Sequence, residues 1–329
     1  MTRRPIIVPA ALAALALALT GCAGGGAGGA GGFAGELAYL PAPDGAVAVT
    51  YADLDAAGER LDVERADDEA AWWAEAGLGA DGTGGLGIAP PQSFGWDRMD
   101  AAEVAEVLGI SLADVGRFTE TGEGAGAVLV VDAPDGAAAK LSDALGEPVD
   151  GVWEFGDDGA VDLASPLGPA GMYGLRIAEV DGRLVIGSTR ATVEGVRDGE
   201  LDTLDSDDGV RELAEALDGL GAFAASIHEA GPSPLGELQL LGAGVSGDGD
   251  ATRVHIVGYA ADEAAATAAA ETARTAFEHG TTLSGTPIAE LLTLDDVAAS
   301  GRVVTVTATP AAGRGAGVWY SIMARRDLG

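Results

Sequence analysis

VLVVDAPDGAAAKLSDALG, residues 128–146, is the stretch that decides the fold class of this chain. The apolar run at 125–132 predicts a buried strand, and residues 134–145 predict a helix that ends before Gly146. HIVGYAADEAAATAAAETA, residues 255–273, repeats this order of strand, small or acidic turn and alanine-rich helix. Two α+β units related by duplication would explain the repeat, and low-complexity alanine alone would also produce it. Both interpretations stay open on the sequence alone.

The surrounding sequence predicts an α+β fold with mainly antiparallel sheets and helices packed on one face. Asp181-Gly182 separates two apolar stretches, 172–180 and 183–188, which is the pattern of a β-hairpin with a two-residue turn. The patterns do not choose between one continuous sheet and two separate ones. Further strands are predicted at 46–51, 222–227, 240–246, 252–259 and 302–309, and helices at 53–61, 67–76, 100–108, 111–118, 189–196, 207–217, 262–279 and 286–292.

The N-terminus carries an export signal. Arg3 and Arg4 precede an apolar run at 6–19, which is shorter than the roughly 20 residues of a spanning helix. The run ends in Leu19-Thr20-Gly21-Cys22, and Cys22 is the single cysteine of the 329 residues. These four residues resemble the lipobox of bacterial lipoproteins at every position. The resemblance implies a signal peptide at 1–21 and a Cys22 that is acylated and becomes the new N-terminus. A secretory peptide cleaved near residue 23 and an uncleaved anchor are the alternatives.

The segment after Cys22 is rich in glycine and alanine, which predicts a tether over residues 22–36. A phosphate-binding glycine loop is the alternative, but no strand precedes it. The folded part is predicted to comprise an α+β domain at 37–234 and a second α+β unit at 235–329.

The charge of the chain limits its partners. With 18 Lys and Arg against 52 Asp and Glu, the net charge is −34, which opposes nucleic-acid binding. A partner with a basic patch, or a divalent cation, is compatible with this charge. The composition resembles that of uncharacterised lipoproteins from high-GC Gram-positive bacteria, and a halophilic archaeon is the alternative source.

No catalytic residue, metal site or cofactor is predicted. The three histidines, His228, His255 and His279, lack metal-ligand spacing, and His255 is expected on a partly exposed sheet face. The acidic stretch that begins at Asp205 fails the EF-hand pattern, because its twelfth position is Ala216. The sequence also lacks the Gly-x-Ser-x-Gly and Ser-x-x-Lys patterns of serine nucleophiles. Packing is the favoured role of the tryptophans, with a binding patch as the alternative: Trp72, Trp73, Trp96, Trp153 and Trp319.

The sequence therefore predicts a non-enzymatic envelope protein with a binding or scaffold role. The Cys22 lipid would hold it on the outer, extracytoplasmic face of the cell membrane, where it meets an envelope protein or a small ligand. Two other functions stay open. One is a carrier or sensor of a small apolar ligand, which requires a cavity between sheet and helices. The other is a carboxylate-dependent hydrolase, which requires two acids in a cleft.

Overall fold

The computed structural model describes residues 32–43, 45–61, 72–73, 76–77, 85–93, 101–122, 126–165, 174–248 and 251–329. Within them the strands are β1 (Ala48–Asp53), β2 (Arg117–Thr121), β3 (Val128–Asp132), β4 (Val152–Phe155), β5 (Leu175–Val180), β6 (Arg183–Gly187), β7 (Ala224–Glu229), β8 (Leu240–Asp248), β9 (Ala251–Tyr259), β10 (Leu292–Ser300) and β11 (Val303–Pro310). The helices are α1 (Phe33–Glu36), α2 (Leu54–Leu61), α3 (Ala101–Leu108), α4 (Ala137–Leu145), α5 (Arg190–Arg197), α6 (Asp208–Gly219), α7 (Glu263–His279) and α8 (Val318–Ala324).

All eleven of these strands belong to one sheet, in the order β10-β11-β9-β8-β7-β1-β2-β3-β6-β5-β4. Every neighbouring pair is antiparallel. The predicted α+β class with mainly antiparallel pairing is confirmed, and the sheet is continuous.

Helices lie on both faces of this sheet. Face 1 carries an apolar cluster in which side chains of α2, α3, α4, α7 and α8 meet Leu129 of β3 and Ile256 of β9. On face 2, side chains of α1, α5 and α6 meet Val130 and Val257, the next residues of the same two strands. The expectation that helices cover a single face is therefore not confirmed. Alternation along each strand places apolar residues on both faces, and both have to be covered.

The sheet consists of two halves that share the arrangement of five strands. In the first half the order from the centre is β1-β2-β3-β6-β5-β4, and in the second it is β7-β8-β9-β11-β10. In each half a three-strand meander leads into a helix on face 1, α4 or α7, and a hairpin then returns its second strand beside the third. Since β1 and β7 pair antiparallel at the join, an approximate two-fold axis runs between them, normal to the sheet.

The ladder registers make the two halves equivalent residue by residue. Stepping outward from the central pair Thr50–Ser226, the registers match Leu129 with Ile256, and therefore Val128 with His255. This is the alignment of the two alanine-rich stretches in the sequence. The two hairpins also coincide, each with a two-residue turn, at 181–182 and at 301–302. The structural correspondence therefore extends across five strands and one helix of each half.

Several predicted boundaries change. Residues 117 and 118, predicted as the end of the helix at 111–118, belong instead to strand β2 at the centre of the sheet. In place of the helix predicted at 286–292, the chain forms a short 3-10 turn, Ile288–Glu290, that leads into β10. The predicted unit boundary at 234/235 falls between the paired strands β7 and β8. The topological repeat instead places the start of the second half before β7. In the part of the chain that the structure describes, no helix is long and apolar enough to span a membrane.

Candidate functional site

The segment that begins at Gly32 follows the predicted lipid attachment point, Cys22, in the sequence. Cys22 and the other lipobox residues, Leu19, Thr20 and Gly21, lie outside the described residues, so their predicted role stays a prediction. Gly32 lies within the predicted tether, 22–36, and α1 follows it immediately. The contacts of α1 therefore define how this segment joins the body.

The amino end of α1 is held by a carboxylate from a distant helix. Asp218 of α6 accepts hydrogen bonds from the backbone N–H of Phe33 at 2.8 Å and of Ala34 at 3.0 Å. These are the N–H groups that a helix leaves without partners at its start. Gly32 permits the approach, because a Cβ on this residue would lie 2.7 Å from Asp218 Oδ2. Burial raises the pKa of Asp218, and the two backbone donors oppose that rise.

The carboxyl end of α1 is held by a bidentate ion pair. Both carboxylate oxygens of Glu36 accept from Arg183 of β6, through Nε and Nη2, each at 2.7 Å. The two side chains are only 3% and 13% exposed. The Arg183 guanidinium also stacks over Tyr39, 4.7 Å from the ring centre. A parallel Arg–carboxylate fork fixes orientation as well as distance, so Glu36 orients α1 on the sheet.

Apolar contacts complete the attachment. Phe33 is 1% exposed, and its ring stacks on Tyr51 of β1 with 5.0 Å between the ring centres. Leu37 and Leu40, directly after α1, are fully buried in the same face 2 cluster. Burial raises the pKa of Tyr51 far above its usual range, so this ring stays neutral. The segment 33–40 is thus part of the core.

A carboxylate cluster surrounds Arg117 beside this junction. The guanidinium lies 3.0 Å from Asp53, 3.6 Å from Glu36 and 4.0 Å from Asp132. Burial raises the pKa of Asp132, and the positive charge of Arg117 opposes the rise. Asp53 is engaged at both oxygens, since Oδ1 also accepts from the Ala56 N–H at the start of α2. This geometry is that of an ion-pair network, which links β2 to α1, β1 and β3.

The tether prediction is wrong at its carboxyl end. It includes residues 33–36, but these residues form α1, with Phe33 and Glu36 buried. The sequence does carry a signal for this. Glu36 is the only charged residue between Arg4 and Asp44, and Phe33 interrupts a run of glycine and alanine. Their partners Arg183 and Asp218 have no local pattern that would identify them.

The three histidines lie at separate places in the fold and do not form one site. His255 is 3% exposed, so the expectation of a partly exposed residue is wrong, although its predicted strand face is correct. Its Nε2 lies 2.7 Å from Ser246 Oγ and its Nδ1 lies 3.3 Å from Thr307 Oγ1. Burial, with Arg253 adding to the effect, lowers the pKa of His255 to about 4. His228 is buried on β7 and His279 is exposed at the end of α7.

The other predicted features have structural roles. Asp207 caps α6 by accepting from the N–H groups of Gly209 and Val210, as expected for a solvated helix start. Among the described residues no group of three His, Cys, Asp or Glu side chains is placed to hold a metal ion. Trp72 is fully buried and Trp73 is partly buried, while Trp96 lies outside the described residues.

A groove of about 560 Å³ runs along the outer side of α7. Its wall includes Pro234, Ala268, Thr272 and Gly280. The small-ligand hypothesis requires a cavity between sheet and helices, and this groove lies on the opposite side of the helix.

No protein-family model, curated protein or solved structure matches this chain. Asp218, Arg183 and Tyr51 hold the junction around α1. It is the best-defined candidate site because four independent kinds of interaction converge there: helix capping, a buried ion pair, ring stacking and apolar burial.

Proposed function

We propose that this chain is a lipid-anchored, extracytoplasmic envelope protein with a non-enzymatic binding or scaffold role. In this proposal Cys22 carries the lipid, the glycine-rich segment that follows is the spacer, and the body begins at Phe33. About ten spacer residues have a root-mean-square reach of roughly 17 Å, enough to hold the body clear of head groups. The net charge of −34 adds repulsion from anionic lipid.

The attachment of α1 is the observation that carries the proposal. A protein anchored through its N-terminus transmits every pull on the membrane to the first residues of its body. Here those residues are clamped at both ends, by Asp218 and by Arg183, and Phe33 is buried between them. A segment this close to a terminus is ordinarily poorly ordered unless contacts hold it to the body, and here three kinds of contact do so.

Intact-mass analysis of the membrane fraction from the native host tests the anchor. We expect a diacylglyceryl increment on a chain that begins at Cys22, and a Cys22→Ala variant that is released or stays an unprocessed precursor. Limited proteolysis of the membrane-bound protein should cut before Phe33 and release a body that keeps its thermal transition. Unmodified wild-type protein in the medium would contradict the anchor.

A further inference from the structure

The two halves differ at one edge of the sheet. In the first half, β5 is flanked on its outer side by β4, but in the second half β10, the counterpart of β5, is the last strand. Between α7 and β10 the chain forms only a short 3-10 turn, with no strand. Among the described residues, no strand takes the position beside β10 that β4 takes beside β5.

The outer edge of β10 still presents backbone groups for pairing. The C=O of Val297 accepts from Nη2 of Arg274 of α7 at 2.6 Å, a contact that is possible because this group points away from β11. Since alternate residues of a strand direct their backbone groups to the same side, Ala299 faces outward as well. Ile177, the counterpart of Val297, pairs with Trp153 of β4. Arg274 thus supplies a donor where β4 supplies one in the first half.

The register also specifies the charge of the missing strand. On β4, Glu154 pairs across the ladder with Arg176, and Glu154 Oε1 lies 3.6 Å from Arg176 Nε. The counterpart of Arg176 in the second half is Asp296, which is exposed. A strand added to β10 in the manner of β4 would therefore pair more favourably with a basic residue where β4 carries Glu154, by up to about 1 kcal/mol.

We propose that the outer edge of β10 binds an extended, basic segment of another envelope protein by strand addition. This inference rests on the binding role proposed above and gives that role a surface, but it does not depend on the lipid. A second copy of this chain is the poorer occupant, because each copy carries a net charge of −34 and the two copies repel each other. The irregularity between Leu294 and Asp296 and the Arg274 cap protect the edge while it is empty.

The experiment uses the full chain in detergent micelles and two labelled hexapeptides that follow the sequence pattern of β4, KVWKFK and KVWEFK. They differ only at the residue that would face Asp296. By fluorescence anisotropy we expect KVWKFK to bind at least fivefold more tightly, and an Asp296→Lys variant to reverse the preference. Glu200→Lys, an equal charge change at an exposed residue of the first half, should keep the wild-type preference.

Ala299→Pro removes one outward N–H at a sheet edge, where proline is tolerated, and should abolish binding of both peptides without altering the circular dichroism spectrum. Unchanged binding to Ala299→Pro, or an equal effect of Glu200→Lys and Asp296→Lys, would mean charge attraction without strand addition and would overturn the proposal. If the wild type forms dimers and the Ala299→Pro variant is monomeric, the edge of β10 binds a second copy of the chain. That result would also overturn the proposal. Because the peptides bind a detergent-solubilised chain, their failure would leave the anchor intact, and an absent lipid would leave the edge intact.

Discussion

His255 should make the protein less stable in mild acid, and the residue at the equivalent position in the first half shows which substitution to test. It is buried on β9 and neutral in the folded state, because burial lowers its pKa to about 4 from the ordinary 6.5. Between these values the unfolded chain binds a proton that the folded chain excludes. Stability therefore falls as the pH drops from 6.5 towards 4. Val128 occupies the equivalent site in the other half and is 1% exposed, so a His255→Val variant places there a side chain that the fold already accepts.

The magnitude follows from the two pKa values. Relative to pH 7, a histidine shifted from 6.5 to about 4 costs about 2 kcal/mol of folding free energy at pH 5 and about 3 kcal/mol at pH 4. The many carboxylates contribute to acid denaturation as well, but equally in wild type and variant. The difference between the two proteins isolates the histidine.

Urea unfolding of wild type and His255→Val at pH 7, 6, 5 and 4 measures this difference. The variant loses hydrogen bonds to Ser246 and Thr307, so it is expected to be less stable at pH 7, with the gap closing or reversing by pH 4. His279→Gln, at an exposed side chain, is the matched control and should follow the wild type. A gap that stays constant within about 0.5 kcal/mol over this range would refute the assignment of His255 as a buried neutral side chain.

Two further predictions concern the α1 junction. Phe33→Ala should lower the free energy of unfolding by about 3–5 kcal/mol, because it empties a site that is 1% exposed and removes the stacking on Tyr51. Val161→Ala, at a 52% exposed residue, should change the unfolding midpoint little, and equal effects of the two would place Phe33 outside the core. Glu36→Gln should cost about 2–4 kcal/mol, because Arg183 keeps its buried charge without an ionised partner. A thermal midpoint equal to that of the wild type would show that the pair contributes no net stability.

Local patterns predict the elements whose determinants are themselves local. The helix α7 lies within a residue of its prediction, because Asp262 caps its start and Gly280 ends it. Strand β2 escapes prediction because its sequence, RFTET, has no alternation. Its Thr119 is fully buried, and its Glu120 is satisfied by the N–H groups of Gln92 and Ser93, which are distant in sequence. Strand β10 escapes prediction because its register shifts between Leu294 and Asp296, which breaks the period of two.

The candidate site is the least predictable part for the same physical reason. Glu36 and Arg183 are 147 residues apart, and Phe33 and Asp218 are 185 apart, so neither pair leaves a periodic trace. The repeat is visible in the sequence because it equates two local patterns, at Val128 and at His255, and the ladder registers reproduce that alignment. The sequence repeat alone does not predict the unpaired edge of β10, because that edge is recognised only by comparing the strand order of the two halves.

Strand β1 is the sixth of the eleven, with five strands on either side of it. In an anchored protein the load would enter through α1, which contacts β1 at the middle of the sheet through Tyr51 and contacts β6 through Arg183. Tension along β1 shears the ladders to β2 and β7 together, so several hydrogen bonds resist at once instead of opening one after another. Each outer strand lies about 24 Å from β1, from five spacings of roughly 4.8 Å. The two outermost strands, β10 and β4, therefore lie equally far from β1.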